Sequence, residues 1–309
     1  MSGRLDNCDE VSAQPPRNTR PRAPPQRHIK SVESSRGESS NLPIMALQIV
    51  SDLHLEKPPT YDVFEIIPEA PYLALLGDIG LVRDDGFFTF IKAQLQKFQI
   101  VFLLLGNHEP WHSTWVKTKE RIKQFSDSVK QQYSTKDLGV FVFLDQTRYD
   151  LSSEVTILGC TLYSQISEQH RERISTGVND FYHIDNWTVD DHNAAHRADL
   201  DWLNGQVSEI ATSEPQRKIV VFTHYSPVAQ DPRAVDPRHV DSPLSSGFAT
   251  DLSMQECWKN SRVCLWAFGH THYNTEFMEE GTGKLVVSNQ RGYYSSHSKG
   301  FEPRKVVRG

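Results

Sequence analysis

From residue 46 onward, short runs of aliphatic and β-branched residues alternate with longer amphipathic stretches. Several of the short runs are apolar at every position, which is typical of strands covered on both faces. We predict strands at Leu47–Val50, Tyr72–Leu76, Ile100–Leu105, Val140–Leu144, Val155–Gly159, Ile219–Phe222, Cys264–Phe268 and Leu285–Ser288, and helices at 84–97, 113–133, 190–211 and 249–259. This alternation is typical of a layered α/β domain with a single core.

Residues 1–43 differ in composition from the rest of the 309-residue chain. They are rich in Pro, Ser, Arg and Gln and have almost no aliphatic pattern. Such a segment cannot bury enough apolar surface to offset the entropy lost on ordering, so we predict a disordered N-terminal extension. Met45 stands directly before the first predicted strand and is a candidate alternative translation start. The intact mass of the native protein would show whether residues 1–44 are present in it.

Charge and composition narrow the classes of protein to which this chain can belong. The net charge of -6 gives no overall basic surface for nucleic acid. No apolar run approaches the ~20 residues that a membrane-spanning helix needs. The four cysteines, Cys8, Cys160, Cys257 and Cys264, form no C-x-x-C pair and show no disulfide-framework spacing. These features favour a reducing compartment, with the cytoplasm as the expected location.

Five short polar blocks each follow an apolar run at the end of a predicted strand. They are Asp52-Leu53-His54, Gly77-Asp78, Gly106-Asn107-His108-Glu109, Thr223-His224 and Gly269-His270-Thr271-His272. A single block of this kind is usually a turn. Five of them at strand ends would gather Asp, Asn and His side chains on one rim, where α/β proteins carry their functional loops. These residue types can ligate two adjacent divalent cations.

The same blocks resemble the signature of the calcineurin-like metallophosphoesterases, which reads D-x-H, G-D, G-N-H-[ED], a lone His after a strand, and G-H-x-H. The resemblance covers roughly residues 46–305. The segments 223–227, 248–252, 265–272 and 287–293 are similar to a fungal and bacterial branch of small phosphoesterases in that superfamily. The resemblance implies one metallophosphoesterase domain over 46–305 with a layered α/β/β/α sandwich fold.

Two metal sites that share one carboxylate are also implied by the resemblance. The first metal would be held by Asp52, His54, Asp78 and His272, and the second by Asp78, Asn107, His224 and His270. A bridging carboxylate at Asp78 would offset the repulsion between the cations, and imidazole ligands suit Mn, Fe or Zn better than Mg or Ca. Two such metals ~3.5–4 Å apart can activate a hydroxide for in-line attack and bind the phosphoryl oxygens. The expected cofactors are therefore two divalent ions.

Two further residues receive roles from their place in these motifs. The resemblance implies that His108 is not a ligand and instead protonates the leaving-group oxygen or neutralises charge on the phosphoryl group. The alternative is an outer histidine that only forms hydrogen bonds within its loop. Arg291 could anchor phosphate through its planar guanidinium. The alternative there is that residues 289–293 only cap the last strand and pack the turn.

The resemblance departs from one branch of the superfamily after Gly77-Asp78. Protein Ser/Thr phosphatases have an acid and an arginine at the third and fourth positions after this Asp, whereas here those positions are Leu81 and Val82. The acid that would orient His108 and the arginine that would hold phosphate are therefore absent from these two positions. This difference argues against a protein phosphatase.

The sequence thus predicts hydrolysis of a phosphomonoester or phosphodiester of a small-molecule or nucleotide-like substrate. The Pro-, Asp- and Ser-rich segment 225–248 is predicted to be a long loop that faces the substrate. A metal-dependent nuclease is one alternative, although the net acidic charge does not favour it. A non-catalytic metal-binding scaffold of the same fold is another, although no ligand is eroded and His108 is present. The substrate, the metal pair and the oligomeric state are left open.

Overall fold

The computed structural model of the chain describes residues 45–132, 138–240 and 242–308. The predicted extension, residues 1–43, lies outside the described residues. The strands are β1 (Ala46–Val50), β2 (Tyr72–Leu76), β3 (Ile100–Leu104), β4 (Val140–Phe143), β5 (Thr147–Asp150), β6 (Val155–Gly159), β7 (Lys218–Phe222), β8 (Val263–Phe268), β9 (Glu276–Met278), β10 (Leu285–Ser288), β11 (Gly292–Tyr293), β12 (Ser296–His297) and β13 (Val306–Arg308). The helices are α1 (Asp85–Leu95), α2 (Trp115–Gln132), α3 (Arg171–Gly177), α4 (Asp180–His183), α5 (Val189–Ser213) and α6 (Glu256–Lys259), with 3-10 turns at Glu168–His170 and Ser245–Gly247.

The strands form two main sheets and one short hairpin. The first sheet has the order β13-β1-β2-β3-β4, the second has the order β5-β6-β7-β8-β10-β9, and β11 pairs with β12. Strands β1 to β4 are parallel to one another, and so are β6, β7, β8 and β10. The edge strands β13, β5 and β9 are antiparallel to their neighbours. All eight strands predicted from the sequence are present, with ends that differ by no more than one residue.

The two sheets pack face to face through one apolar layer. Ile49 and Phe102 of the first sheet lie in the same buried cluster as Phe222 of the second. Alternate residues on the same strands, such as Val101 and Val221, point the other way into a cluster that they share with α1, α2 and α5. Side chains on a strand alternate between its two faces, so each central strand is covered on both sides. The result is the α/β/β/α sandwich that the sequence predicts.

The longest helix, α5, is fixed at its start by a capping box. The Thr188 hydroxyl accepts the N–H of Asp191, and the Asp191 carboxylate accepts the N–H of Thr188. Leu203, Val207 and Ile210 on one face of this helix are buried in the core. No helix in the described ranges is both long enough and apolar enough to cross a membrane.

Some of the predicted secondary structure is wrong. The helix predicted at 249–259 is helical only over α6, because the residues before it pair with the loop after β7. The Thr250 N–H donates to the Ser226 carbonyl, and the Leu252 N–H donates to the Pro227 carbonyl. Strands β5, β9 and β13 were not predicted from the sequence. All three lie at sheet edges and are short, so each leaves only a weak alternation in the sequence.

Candidate metal centre

The polar blocks that follow β1, β2, β3, β7 and β8 meet at one edge of the sandwich. The backbone at this edge is strained, because candidate ligands from three blocks have a positive φ. These residues are Asp52 (51°), His54 (46°), Asp78 (52°), His270 (71°) and His272 (51°). A non-glycine residue in this region costs roughly 1–2 kcal/mol, and such residues are found mainly where a functional arrangement requires them. The strain therefore marks this edge as a functional site.

The first cluster of candidate ligands consists of Asp52, His54 and His272, whose ligand atoms all lie within 4.8 Å of one another. The His54 and His272 Nε2 atoms are 3.1 Å apart, and His272 Nε2 lies 3.3 Å from a carboxylate oxygen of Asp52. Burial would raise the pKa of Asp52, but the hydrogen bond and the charge of His272 hold it below the ordinary value. Two ring nitrogens and a carboxylate oxygen that converge in this way could hold a cation.

The second cluster consists of Asp78, His224 and His270, and its ligand atoms also lie within 4.8 Å of one another. His224 Nδ1 donates to the Leu76 carbonyl at 2.8 Å, so the neutral ring has its lone pair on Nε2. Burial lowers the pKa of His224 to about 4 and that of His270 well below its ordinary value. Both rings are therefore neutral at pH 7, which is the form that binds metal.

One buried atom of this cluster lacks a partner. Among the described residues, His270 Nε2 has no hydrogen-bond partner although the atom is buried. A buried ring nitrogen without a partner costs free energy, so such atoms are rare in native proteins. A cation bound between Asp78 and His224 would satisfy it, and the residues present therefore fit a metal.

Asp78 connects the two clusters. One of its carboxylate oxygens lies 3.7 Å from His54 Nε2, and the other lies 3.5 Å from His224 Nε2. Its pKa is raised well above the ordinary value, first by burial and then by the charges of Glu109 and Asp52. A buried carboxylate beside other acids needs positive charge nearby to stay ionised. The geometry therefore allows Asp78 to serve both sites, as the sequence predicts.

Asn107 points its carbonyl oxygen toward the second cluster. Its amide nitrogen donates to Asp180 at 2.8 Å, and its oxygen lies 3.1 Å from His224 Nε2. The indole N–H of Trp111 donates to the same Asp180 oxygen at 3.0 Å. Burial raises the pKa of Asp180 to about 6, although the hydrogen bonds from Asn107 and Trp111 oppose that shift. The role of Asp180 could not be predicted from the sequence, because nothing in the sequence places α4 beside this loop.

Replacement of Asp180 with Ala is expected to free the Asn107 amide and to weaken one of the two metal sites. Loss of a residue that orients a ligand typically costs 10- to 100-fold in metal affinity, so we expect a drop of about tenfold or more at that site. Metal titration followed by calorimetry would resolve the two sites. Asp201→Ala, on the exposed face of α5, is the matched control. Equal weakening of both sites, or of neither, would contradict the role given to Asp180.

Gly106 and Glu109 shape the turns that carry these ligands. A Cβ at Gly106 would lie only 2.6 Å from the Asp78 nitrogen and 2.6 Å from His224 Cε1, so no other residue fits there without a shift. The Glu109 carboxylate accepts the N–H groups of Gly106, Asp78 and Ile79 at 2.7 to 3.0 Å. Burial raises the pKa of Glu109 to about 7 even though these three N–H groups oppose the shift. The turns after β2 and β3 are thereby fixed to each other.

His108 lies beside both clusters with its ring held on three sides. Its Nδ1 lies 3.0 Å from Glu56, its ring stacks on Trp111 at 3.6 Å between centroids, and its Nε2 lies 3.3 Å from the Tyr293 hydroxyl. Burial lowers its pKa to about 4, although the hydrogen bond with Glu56 opposes this shift. His108 Nε2 also lies 3.9 Å from Asp78. The geometry alone therefore allows either a ligand role or a proton-transfer role for this ring.

An acid contacts His108, although it does not come from the segment after Asp78. One carboxylate oxygen of Glu56 lies 3.0 Å from His108 Nδ1, and the same oxygen lies 3.2 Å from His54 Nδ1. The sequence predicted only that no acid stands at the third position after Asp78, which is Leu81. The signal that could have found Glu56 is the acid two residues beyond His54, in the order Asp52-Leu53-His54-Leu55-Glu56.

Arg291 is turned away from the clusters. Its guanidinium donates to the Leu53 carbonyl at 2.9 Å and stacks over the Phe64 ring at 4.8 Å. It is not among the residues that line the cavity beside the centre. These contacts favour the alternative role, in which the segment packs the turn, over a phosphate anchor.

Comparisons with known proteins give a family and a fold. A family model described as calcineurin-like phosphoesterase matches residues 45–274. An uncharacterized protein of Acanthamoeba polyphaga mimivirus is 29% identical over 283 residues, covering 84% of this chain and 95% of that protein. The solved structure of Phosphopantetheinyl Hydrolase from Mycobacterium tuberculosis has a TM-score of 0.59 at 15% identity, covering 85% of this chain and 95% of that one. A dimetal phosphatase from Danio rerio has a TM-score of 0.53 at 13% identity, covering 86% and 98%. At these identities the two structures show a shared fold.

Proposed function

The chain belongs to the calcineurin-like phosphoesterase family, and on that premise we propose that it is a binuclear metal-dependent phosphoesterase. The substrate would be a phosphomonoester or a phosphodiester. The observation that carries the proposal is the pair of ligand clusters joined by Asp78, with one carboxylate oxygen toward each. This is the arrangement that two adjacent cations require.

The two clusters divide the proposed ligands between the metals. Asp52, His54 and His272 would hold the first ion, Asn107, His224 and His270 would hold the second, and Asp78 would bridge them. Four of these seven residues supply imidazole nitrogen, which favours Mn, Fe or Zn. Bound divalent ions would supply an activated hydroxide and neutralise charge on the phosphoryl group.

His108 is proposed to assist departure of the leaving group. Because Glu56 accepts the Nδ1–H, the Nε2 atom is the one that faces the centre. Nε2 carries a proton, and can donate it to the leaving oxygen, only when the ring is doubly protonated. Glu56 would also stabilise the positive charge on the ring while it carries that proton. The Tyr293 hydroxyl, 3.3 Å from His108 Nε2, is placed to donate a hydrogen bond to the same oxygen or to a phosphoryl oxygen.

The decisive experiment is reconstitution of metal-free protein with Mn, Fe or Zn, followed by assays on mono- and bis-aryl phosphates. We expect about two ions per chain and hydrolysis that disappears on chelation and returns with metal, because the nucleophile depends on the ions. The ratio of mono- to diester rates would assign the subclass. Stoichiometric metal without turnover on either ester would favour the non-catalytic scaffold instead.

A further inference from the structure

A cavity of about 420 Å³ opens directly from the metal centre. Asp78, Asn107 and His270 lie at its inner end. The cavity continues between the end of α3 and the long loop after β7, of which residues 228–239 and 242–248 form one wall. A volume of this size is typical of a site for a small organic molecule. It exceeds what a phosphoryl group alone would fill.

The outer part of the cavity is mainly apolar. The residues that give it this character are Val178, Val228, Ala234, Val235, Leu244 and Phe248. Phe248 also stacks on the ring of His270 at 4.9 Å between centroids, so the apolar wall begins next to the second cluster. An apolar wall of this kind favours carbon surface over charged groups.

The charges around the cavity point the same way. Among the described residues that line it, none is Lys or Arg, whereas Asp78, Asp180 and Asp236 are acidic. Within the same described lining, His239 is the one histidine outside the metal centre. Asp180 accepts hydrogen bonds from Asn107 and Trp111, and Asp236 is paired with the exposed Arg238 at 2.6 Å. Apart from His239 and the proposed metal ions, the described lining therefore offers no positive charge to an anionic ligand, and these two acids already have partners.

His108 lies where the metal centre meets this cavity. Its ring and that of Trp111 both belong to the lining, and the His108 Nε2 atom is on the side of Asp78. Because the cavity opens from the metal centre, a phosphoester held at that centre has room for its organic group in the cavity.

From these observations, and resting on the proposed function, we infer that the cavity binds the alcohol portion of the phosphoester and that this portion is uncharged and largely apolar. Esters whose alcohol carries further phosphates or carboxylates would place negative charge against an apolar wall with no counter-charge. Nucleoside polyphosphates, nucleic acids and acidic phosphopeptides are therefore poor substrates. The substrate class is a small phosphoester with a neutral organic group.

Binding of matched phosphonates, which are not hydrolysed, tests this inference. The probes are para-propylbenzyl phosphonate and two analogues in which a carboxylate or an ammonium group replaces the terminal methyl group. Calorimetry on the Mn-reconstituted protein should show the propyl compound binding about tenfold or more tightly than either charged analogue, because a buried charge without a partner is costly. Equal affinities for the three compounds would overturn the inference.

A charge placed in the wall should reverse this selectivity. Val178→Lys introduces a cation into the lining and is expected to shift the ratio toward the carboxylate analogue by about tenfold or more. Val116→Lys is the matched control, because Val116 is exposed on α2 and outside the lining. An identical ratio in the two variants would contradict the placement of the organic group. The measurements on the unsubstituted protein decide the inference even if Val178→Lys does not fold.

The outcomes separate this inference from the proposed function. Selective binding with no hydrolysis of any aryl phosphate would leave the cavity assignment in place and remove the phosphoesterase proposal. Metal-dependent hydrolysis without selectivity among the phosphonates would do the reverse.

Discussion

The Asp78→Ala variant is expected to lose both metal ions and all measurable phosphoesterase activity. Each oxygen of this carboxylate faces a different ligand cluster, so its removal deprives both sites of a ligand at once. It also removes the negative charge that would hold two cations close together. Elemental analysis after reconstitution and desalting would measure the bound metal. Full metal occupancy in this variant would contradict the bridging role.

Asp78→Asn is the matched control, because it keeps the size and shape of the side chain and removes only its charge. The amide oxygen can still accept the backbone N–H of His108, which donates to Asp78 at 2.8 Å. We expect this variant to retain the fold and to bind no more than one ion. If it binds two ions as tightly as the unsubstituted protein, the charge of Asp78 does not matter to the site.

The stability of metal-free protein provides a second measurement on the same variant. Burial and the neighbouring acids raise the pKa of Asp78 in the folded state above its ordinary value of 3.8. The unfolded chain therefore releases this proton more readily, so the contribution of Asp78 to stability becomes less favourable as pH rises above about 4. Metal-free Asp78→Asn should be at least as stable as the metal-free parent at pH 7, with the difference fading toward pH 4. Thermal unfolding at several pH values would test this.

The sequence predicts strands β1 to β4, β6, β7, β8 and β10, and the convergence of the polar blocks, because both depend on local pattern. A fully apolar run indicates a strand that is buried on both faces, and a polar block at the end of that run indicates where the strand reaches the edge of the sheet. The sequence alone therefore predicts that Asp52, Asp78 and His224 lie near one another, as they do in the structure. Strands β5, β9 and β13 could not be predicted, because each is only three or four residues long and none is a fully apolar run.

The residues that hold the ligands in place depend on contacts that the sequence does not reveal. Asp180 lies 73 positions from Asn107, and Glu56 lies 52 positions from His108, yet each forms a hydrogen bond of 2.8 to 3.0 Å with its partner. Arg291 shows the opposite case. Its position in a motif predicted a phosphate contact, but its guanidinium donates to the Leu53 carbonyl and packs the turn. Which residues are candidate ligands can be predicted from the motifs and from their position at strand ends. How those side chains are oriented depends on tertiary contacts.

The His108→Ala variant is expected to keep its metal and to lose turnover. Neither of the two proposed ligand clusters contains His108, so both ions should remain bound. A positioned general acid typically contributes 10²- to 10⁴-fold, and kcat should fall by about that range for esters of poorly acidic alcohols. Esters with highly acidic leaving groups need little protonation and should be affected far less. The measurement is kcat for a series of aryl phosphates plotted against the leaving-group pKa, with metal content determined in parallel.

Glu56→Gln tests whether His108 acts together with the acid that contacts it. The amide oxygen introduced by this substitution can still accept the His108 Nδ1–H, but it no longer stabilises a positive charge on the ring. We expect a smaller loss than in His108→Ala with the same dependence on the leaving group, and little further loss in the double variant, because groups that act as a unit are not additive. An equal loss across all leaving groups would assign His108 to charge neutralisation rather than proton transfer. Loss of one metal ion from His108→Ala would instead assign it to the third group of ligand atoms, with His54 and Asp78.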